Sequence, residues 1–500
     1  MPLSLVDSAS FRFFCSAISD RKFQSPGRTK FSSLIEQLSN TVSHHLFSIL
    51  QDIPGIGLTT DGTTLLGARK FVALTGHFIY EWKIYSIYLA LVEVDGPEDS
   101  EYLSELLESL LKLWSIKSPQ FIVTDNGANF VSCADKLRAK HVISDHIRCA
   151  CHTIQLSVDD VVKKCAAIKD VIEHCRLIAS TFRNSPTLTS AFEHLQEKYK
   201  QQHPDYKPLV LQKDVVTRWN STETMLKSLL HNREVLKRAA EDINKPEITM
   251  DDHEWQVVSE LQILLEKLTE ATVTLEAEKY PTLGFVIPVI YALYYVLESM
   301  IISTNEVTEA RQALLESLRR RWDTIDTTLL VAMILDPRFK HLPWLSDRQA
   351  YLVKEELRMR TNSLLQDPED RKDAVEASSN SNAASNRNSL TSILTSKCQV
   401  QARDEFEEYF ACANINWSDD PLIWWNANEC KFPRISKLAR IYLCTPASNA
   451  PSERLFSSAS YILRDKRNRL NSSSVEHLVM LRKNLPVVQS ILNTQFLISQ

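Results

Sequence analysis

Apolar positions change their period along this chain, and the changes mark out its organisation. Over the first fifty residues Phe11, Phe13, Phe14, Leu34, Ile35, Leu38, Leu46 and Leu50 alternate with basic and polar residues, which predicts a helical region over 1–52. From about Gly55 the pattern turns β-rich. Ile56–Thr60, Phe71–Tyr80 and Trp82–Val94 are predicted as three strands, rich in β-branched and aromatic residues. Leucines at 103, 106, 107, 110, 111 and 113 then predict an amphipathic helix over Glu101–Ile116. Phe121–Thr124 is a short, wholly apolar strand, and Gly127 permits a turn into a helix around Phe130–Leu137. His146–Cys151 is a fifth strand, with helix from His152 onward. The predicted order is β-β-β-α-β-α-β-α.

Beyond this, helical periodicity dominates from 161 to 430. Val258, Leu261, Leu265, Leu268 and Leu275 form one stripe within Trp255–Glu278, and Phe285–Ile302, Val307–Trp322 and Arg348–Leu365 repeat the character. Within this block a linker near 366–398 contains SSNSNAASNRNS, almost without apolar residues, and is expected to be disordered. Trp424-Trp425 precedes a last helical region, 431–500, punctuated by Pro446 and Pro451. The expected segments are thus 1–52, 53–160, 161–430 and 431–500.

Composition narrows the class. A hydrophobic fraction of 44% and a charged fraction of 24% describe a globular protein, and nine glycines in 500 residues disfavour an all-β chain with many tight turns. The most apolar run, Phe285–Leu297, contains Pro288 and is too short to span a bilayer, so no membrane partner is expected. The N-terminus has no charged, apolar and small-residue succession of a secretory leader, and ten scattered cysteines suit a reducing compartment. Net charge is −5, yet Lys431–Leu485 holds eleven Lys or Arg against three acids, a local basic surface of the kind that meets phosphate.

Three acids carry the sharpest chemical expectation. Asp61 and Asp125 are expected at the ends of the first and fourth strands, parallel neighbours in an RNase H-like sheet, where open α/β sheets keep their sites. Glu453 falls in the first turn of a helix that Ser448 or Ser452 can cap, with Leu455, Phe456, Ala459, Ile462 and Leu463 as its apolar stripe. Two-metal phosphoryl transfer needs carboxylates converging on cations about 3.5–4 Å apart, and Glu453 can supply the third carboxylate. The plainer alternatives are turn chemistry for Asp61-Gly62 and Asp125-Asn126-Gly127, and a dipole-stabilised first-turn acid for Glu453.

The other candidates have similarly plain alternatives. His152 follows the fifth strand and can contact a scissile phosphate or its leaving group. Cys149, Cys151 and His152, with Cys165, His174 and Cys175, lack any C-x2-C pair, so zinc is not expected. Trp219, after Arg218, is either a core anchor or a platform for an unpaired base. Arg464, Lys466, Arg467 and Arg469 form either a solvated face or a phosphate-contacting cluster.

The stretch ASNAPSERLFSSASYILRDKRNRLNSSSVEHLVMLRKNL resembles the C-terminal dimerisation region of hAT-superfamily transposases and their domesticated relatives with BED-type zinc fingers. The resemblance extends through TTDG, FVALTGHFI, VTDNGANF, RCACHTIQL, TRWNST, LDPRFK and LARIYLCTPAS, nearly the whole chain. It implies an RNase H-like core interrupted by a large all-α insertion and completed by the C-terminal helices. It further implies that Asp61, Asp125 and Glu453 are the DDE metal ligands for Mg²⁺ or Mn²⁺, that Cys149 and His152 are the C-x2-H pair, and that Trp219 stacks in flanking DNA. The expected protein is nuclear, binds DNA and forms a homodimer or higher oligomer, with active DNA cleavage and a non-catalytic interaction scaffold as alternatives. Thr63-Thr64 stand where the family commonly has Trp then Ser, and no BED finger occurs within these 500 residues, which suggests a truncated or domesticated form.

Overall fold

The computed structural model describes residues 6–19, 25–65, 69–94, 96–116, 119–215, 219–243, 248–324, 326–341, 345–363, 404–462 and 472–492. The serine- and asparagine-rich linker and the basic run 464–469 lie outside them. The chain is a mixed α/β protein that divides into two compact units. One comprises 1–149, 277–285 and 327–500, and the other 150–276 and 286–326.

The first unit is built on a five-stranded sheet in the order β3-β2-β1-β4-β5. Its strands are β1 (Gly57–Leu65), β2 (Arg69–Tyr80), β3 (Lys83–Val94), β4 (Phe121–Thr124) and β5 (Asp145–Arg148). β1 pairs antiparallel with β2 and parallel with β4, and β4 pairs parallel with β5. Helices α1 (Ala9–Ile18) and α2 (Arg28–Asp52) precede the sheet, while α3 (Ser100–Leu113) and α4 (Ala128–Ala139) connect its later strands. Asp99 caps α3 through the Tyr102 N–H, and Leu103, Leu107 and Leu111 form its buried stripe. The order matches the one the periodicity predicts.

Two differences trace to tertiary packing. β1 does not stop at Asp61-Gly62 but runs on to Leu65 against β2, so Asp61 sits inside a strand, opposite Ala73. Trp82 does not begin β3. It forms, with Glu81, a two-residue turn in which both residues have positive φ, 46° and 53°. That turn suits a right-twisted hairpin but is costly for side chains other than Gly or Asn. The buried Trp82 ring opposes this cost: it stacks on Trp425 at 6.0 Å and its Nε1–H donates to Glu429 at 2.8 Å.

The helices around Trp425 therefore belong with the sheet rather than with the helical insertion. These are α13 (Thr327–Leu335), α14 (Asp347–Ser363), α15 (Glu405–Ala411), α16 (Pro421–Asn428) and α17 (Pro433–Leu443). Trp425 is fully buried and donates to the Leu335 carbonyl at 3.0 Å, and the Tyr409 hydroxyl donates to that of Ile334 at 2.7 Å. The helical unit is consequently narrower than 161–430.

That unit contains α5 (Ala150–Lys164), α6 (Ala166–Asn184), α7 (Pro186–Gln202), α8 (Trp219–His231), α9 (Arg233–Ile243), α10 (Asp252–Leu275), α11 (Val286–Ser299) and α12 (Asn305–Arg321). A reciprocal Asp251–Glu254 capping box starts α10. Two buried or half-buried acids join helices. Glu260 accepts from the backbone N–H and hydroxyl of both Ser303 and Thr304, at the start of α12. Burial pushes its carboxyl up, but these bonds prevail and hold it at about 2. Asp160 of α5 accepts from Ser317, Arg320 and Arg321 of α12 at 2.6–2.7 Å. Among the described residues no helix is long and apolar enough to cross a membrane.

The chain ends on α18 (Ala450–Ile462) and α19 (Ser472–Leu492), which return to the first unit. The apolar face of Val475, Leu478, Val479 and Leu481 is used within the chain: Val475 and Val479 are buried, Leu478 and Leu481 partly so, against the core around β3 and α2. The cause is the edge of the sheet. β3 is an outer strand whose pairing with β2 shifts register between Leu74 and Thr75, and Asn484 of α19 pairs with both the N–H and the C=O of Tyr88 at 2.8 Å. The Asn484→Ala substitution leaves both backbone groups buried without these partners and is expected to cost about 2–4 kcal/mol, read as a lower denaturant midpoint in chemical unfolding.

Candidate active site

The acidic site forms where β1 and β4 run side by side. Their parallel register pairs Thr59 with Val123. Asp61 and Asp125 each lie two residues further along, so two strands advancing at the same rise per residue bring both acids to the same end of the ladder. Asp61 Oδ1 accepts from the Gly62 N–H at 2.9 Å, and Asp125 Oδ1 from the Gly127 N–H at 3.0 Å. Gly127 is the N-cap of α4, so the turn expected from Asp125-Asn126-Gly127 is present and orients the carboxylate at the same time.

Glu453 arrives from the far end of the chain, in the first turn of α18. Ser452 lies inside that helix rather than capping it, and its hydroxyl bonds Thr59 Oγ1 at 2.8 Å. Thr59 continues to Thr75 Oγ1 at 2.5 Å, Thr75 to His77 Nε2 at 2.8 Å, and His77 Nδ1 to Ser86 Oγ at 2.9 Å. Ser452, Thr59, Thr75 and His77 are all buried, and burial, aided by the Arg454 charge, holds His77 down at about 3 and so neutral. The segment before α18 is fixed at further points. The Asn449 N–H reaches Cys149 Sγ at 3.4 Å, the Ala447 N–H donates to Thr282 Oγ1 at 3.0 Å, and a Cβ at Gly57 would lie 2.9 Å from Thr445 Cα. Ser448, the other expected cap, has a buried hydroxyl with no hydrogen-bond partner among the described residues.

The acids share one electrostatic neighbourhood. Burial pushes the Asp61 carboxyl up to about 8. The charges of Asp125 and Glu453 add to the rise, the Gly62 N–H opposes it, and Glu98 contributes a further increment. Glu98 was not singled out from the sequence. Its backbone carbonyl accepts from Asn129 of α4 at 2.7 Å, and its Oε2 packs against Gly62. Asp61 and Asp125 are half-buried, whereas the Glu453 side chain is exposed. Among the described residues no three His, Cys, Asp or Glu side chains stand as a ready-made metal-binding group. The donor chemistry nevertheless fits a hard divalent cation: all are carboxylate oxygens, and they hold more negative charge than their partly buried setting favours.

The remaining candidates belong to the helical unit or lie outside the described residues. His152 is half-buried in the first turn of α5, in the helical unit. Cys151, beside it, is buried and directs its thiol toward the Thr272 carbonyl at 3.8 Å. Trp219 begins α8, is 5% exposed, and donates its backbone N–H to Gln155 at 3.2 Å, which is the core-anchor alternative. Arg218, Arg464, Lys466, Arg467 and Arg469 lie outside the described residues.

The first unit is thus a mixed α/β fold with two acids on adjoining parallel strands and a helix that returns to the sheet from the C-terminal region. Comparison with known proteins narrows this. Residues 405–485 match the hAT family C-terminal dimerisation region, 147–264 the ZBED1 RNase-like helical domain and 64–153 the ZBED1 RNase-like domain. Asp125 and Glu453 fall within matched ranges, and Asp61 three residues before one. The human Zinc finger BED domain-containing protein 4 is 24% identical over 97% of this chain and 42% of its own length. Zinc finger BED domain-containing protein RICESLEEPER 3 of Oryza sativa subsp. japonica is 24% identical over 95% of this chain and 67% of its own. A Zea mays protein named as an AC transposase is 23% identical over 96% of this chain and 62% of its own. The three matches together take in more than half of the chain, which is similar along nearly its whole length to hAT transposases and their BED-type relatives and spans roughly two fifths to two thirds of these relatives' lengths.

The raised Asp61 carboxyl has a defined pH consequence. An acid that ionises near 3.8 when unfolded and about 8 when folded lets the unfolded state release its proton first, so its contribution to stability falls as pH rises across that interval. The Asp61→Asn substitution is expected to stabilise the protein at pH 8 by about 2 kcal/mol, less than the full shift implies because water reaches the site, and to have little effect near pH 4. Thermal unfolding of both proteins across that range checks this.

Proposed function

We propose that this chain is a transposase-derived nuclear protein that dimerises through its C-terminal region and binds DNA. The observation that carries the reading is the match of residues 405–485 to a dimerisation region, whose later part, Lys431–Leu485, holds eleven Lys or Arg against three acids. The sheet order and the RNase-like matches support an RNase H-like core, and the relatives' names support a role at DNA. Arg464, Lys466, Arg467 and Arg469 meet phosphates and orient the duplex without reading bases. Binding is therefore weakly sequence-selective. With four such contacts the logarithm of the association constant should fall with the logarithm of salt concentration at a slope of about −3 to −4, and replacing the four by Gln should flatten it. Fluorescence anisotropy on unrelated duplexes measures both, and light scattering at micromolar concentration is expected to give twice the chain mass.

A second reading, metal-dependent DNA cleavage, is favoured by one specific observation: the charges of Asp125 and Glu453 both bear on the half-buried Asp61 carboxyl. In this reading Asp61, Asp125 and Glu453 hold Mg²⁺ or Mn²⁺. The bound cations would supply activation of the attacking oxygen and stabilisation of the leaving one. The chain's own contribution is positional. The Ser452–Thr59 bond fixes the helical turn that carries Glu453, and the two glycine N–H groups orient the aspartates. The Glu453→Gln substitution keeps the shape and removes one ligand charge. It is expected to lower Mn²⁺-dependent nicking of supercoiled DNA by about a hundredfold or more while leaving dimerisation and DNA affinity unchanged. Equal nicking by both proteins would exclude this role.

A further inference from the structure

The metal-dependent reading leaves the Glu98 carboxylate without a part. Glu98 lies between β3 and α3, and β2 separates β3 from β1, yet its Oε2 stands 3.5 Å from where a Cβ on Gly62 of β1 would be placed. The turn after β3 brings it there. Gly96, with φ of 139°, takes a conformation that L side chains rarely adopt and lets the chain fold back over the sheet. Asp99 then caps α3 through the Tyr102 N–H at 2.9 Å, and the Glu98 carbonyl accepts from Asn129 Nδ2 of α4 at 2.7 Å. Asn129 is in the first turn of the helix whose N-cap, Gly127, orients Asp125. Glu98 and Asp125 are therefore positioned from the same helix start.

The Glu98 backbone is anchored, but its side chain is not satisfied. Glu98 is half-buried, and among the described residues its carboxylate makes no hydrogen bond and no ion pair. Its neighbours differ. Asp61 and Asp125 each accept from a glycine N–H, and Glu101, in the first turn of α3, is paired with Lys136. Partial burial makes a carboxylate's charge costly, and a donor or a cation is what offsets that cost. The surface toward Asp61 is also kept clear: a Cβ on Gly62 would meet the Phe130 ring at 3.2 Å as well as Glu98 Oε2, so the absence of a side chain there leaves Glu98 an open approach. The Glu98 charge is in turn felt at Asp61. Carboxylate oxygens suit Mg²⁺ or Mn²⁺, and a supporting carboxylate beside the principal ligands strengthens the hold on such an ion.

We infer that Glu98 is a fourth carboxylate of the acidic site, joining Asp61, Asp125 and Glu453 in holding a divalent cation. This rests on the metal-dependent reading above and adds to it a residue from a fourth segment of the chain. If Glu98 were only a solvated turn acid, ion binding would be indifferent to its length and charge.

Calorimetric titration of the full chain with Mn²⁺, together with the change in Tm that the ion produces, tests the assignment. Glu98→Gln keeps the shape and removes the charge. It is expected to raise the Mn²⁺ dissociation constant about tenfold, the scale on which supporting groups of a metal site act, and to shrink the Mn²⁺-induced rise in Tm. Glu98→Asp keeps the charge but withdraws it by one methylene, and is expected to weaken binding as well, which a general effect of nearby charge does not predict. Without Mn²⁺ neither variant should lower Tm, because the native carboxylate has no partner among the described residues to lose. Asp125→Asn is the reference for the site itself. Mn²⁺ affinity unchanged in both Glu98 variants but weakened in Asp125→Asn overturns the role of Glu98 alone, as does weakening by Glu98→Gln without any by Glu98→Asp. Absence of saturable Mn²⁺ binding to the native chain, or affinity unchanged in Asp125→Asn too, overturns the metal-dependent reading together with it.

Discussion

A hydroxyl pair, Thr59 and Ser452, stands 393 residues apart in sequence and 2.8 Å apart in space, with both members buried. Much of the first unit's organisation depends on this contact being made. Neither hydroxyl can be left unpaired without a desolvation cost of about 1–3 kcal/mol, so α18 is held to β1 in one register rather than merely laid against it. The Thr75, His77 and Ser86 groups extend the link across β2 to β3. Since Glu453 is the next residue after Ser452, the bond that satisfies a buried serine also fixes where a carboxylate emerges. The chain can leave the sheet for a long helical excursion because the entropic cost of closing a loop rises only logarithmically with its length.

Against this fixed frame the acidic site is a balance of opposed terms. Burial and three neighbouring carboxylates disfavour the charged form of Asp61, and one backbone N–H favours it. The helical unit resolves the same conflict in the other direction: Glu260 is also little exposed, yet four donors from Ser303 and Thr304 keep it ionised. The contrast separates two uses of a carboxylate. Glu260 is saturated by donors and ties α10 to α12, whereas Asp61 is left short of donors among like charges, the condition in which an external cation has most to contribute.

The aromatic cluster shows local preference yielding to packing. Glu81 and Trp82 occupy a turn whose positive φ angles neither residue prefers, and Trp82 is retained there by Trp425, Glu429 and Arg440, the last 4.5 Å from its ring. Helices that periodicity alone assigned to the insertion are drawn to the sheet by this contact. Likewise the apolar face of α19 has the composition of an association surface, and it is used up covering β3 within the same chain.

The sequence by itself determined the elements and the acids. Periods of two and three to four residues located all five strands, and the helices expected over Glu101–Ile116, Phe130–Leu137, Trp255–Glu278, Phe285–Ile302, Val307–Trp322 and Arg348–Leu365, to within a few positions, because side-chain spacing follows directly from backbone geometry. Asp61 and Asp125 were legible because strand order and parallel pairing carry them to one end of the ladder. What only the tertiary structure decided were relations between distant segments: that β1 continues past Asp61, that Ser452 bonds a strand instead of capping its helix, that Glu98 joins the acidic neighbourhood, and that α19 seals an edge. None of these has a local signature. Each depends on which buried polar group finds a partner and which apolar face finds cover, and those pairings exist only once segments far apart in sequence are packed against one another.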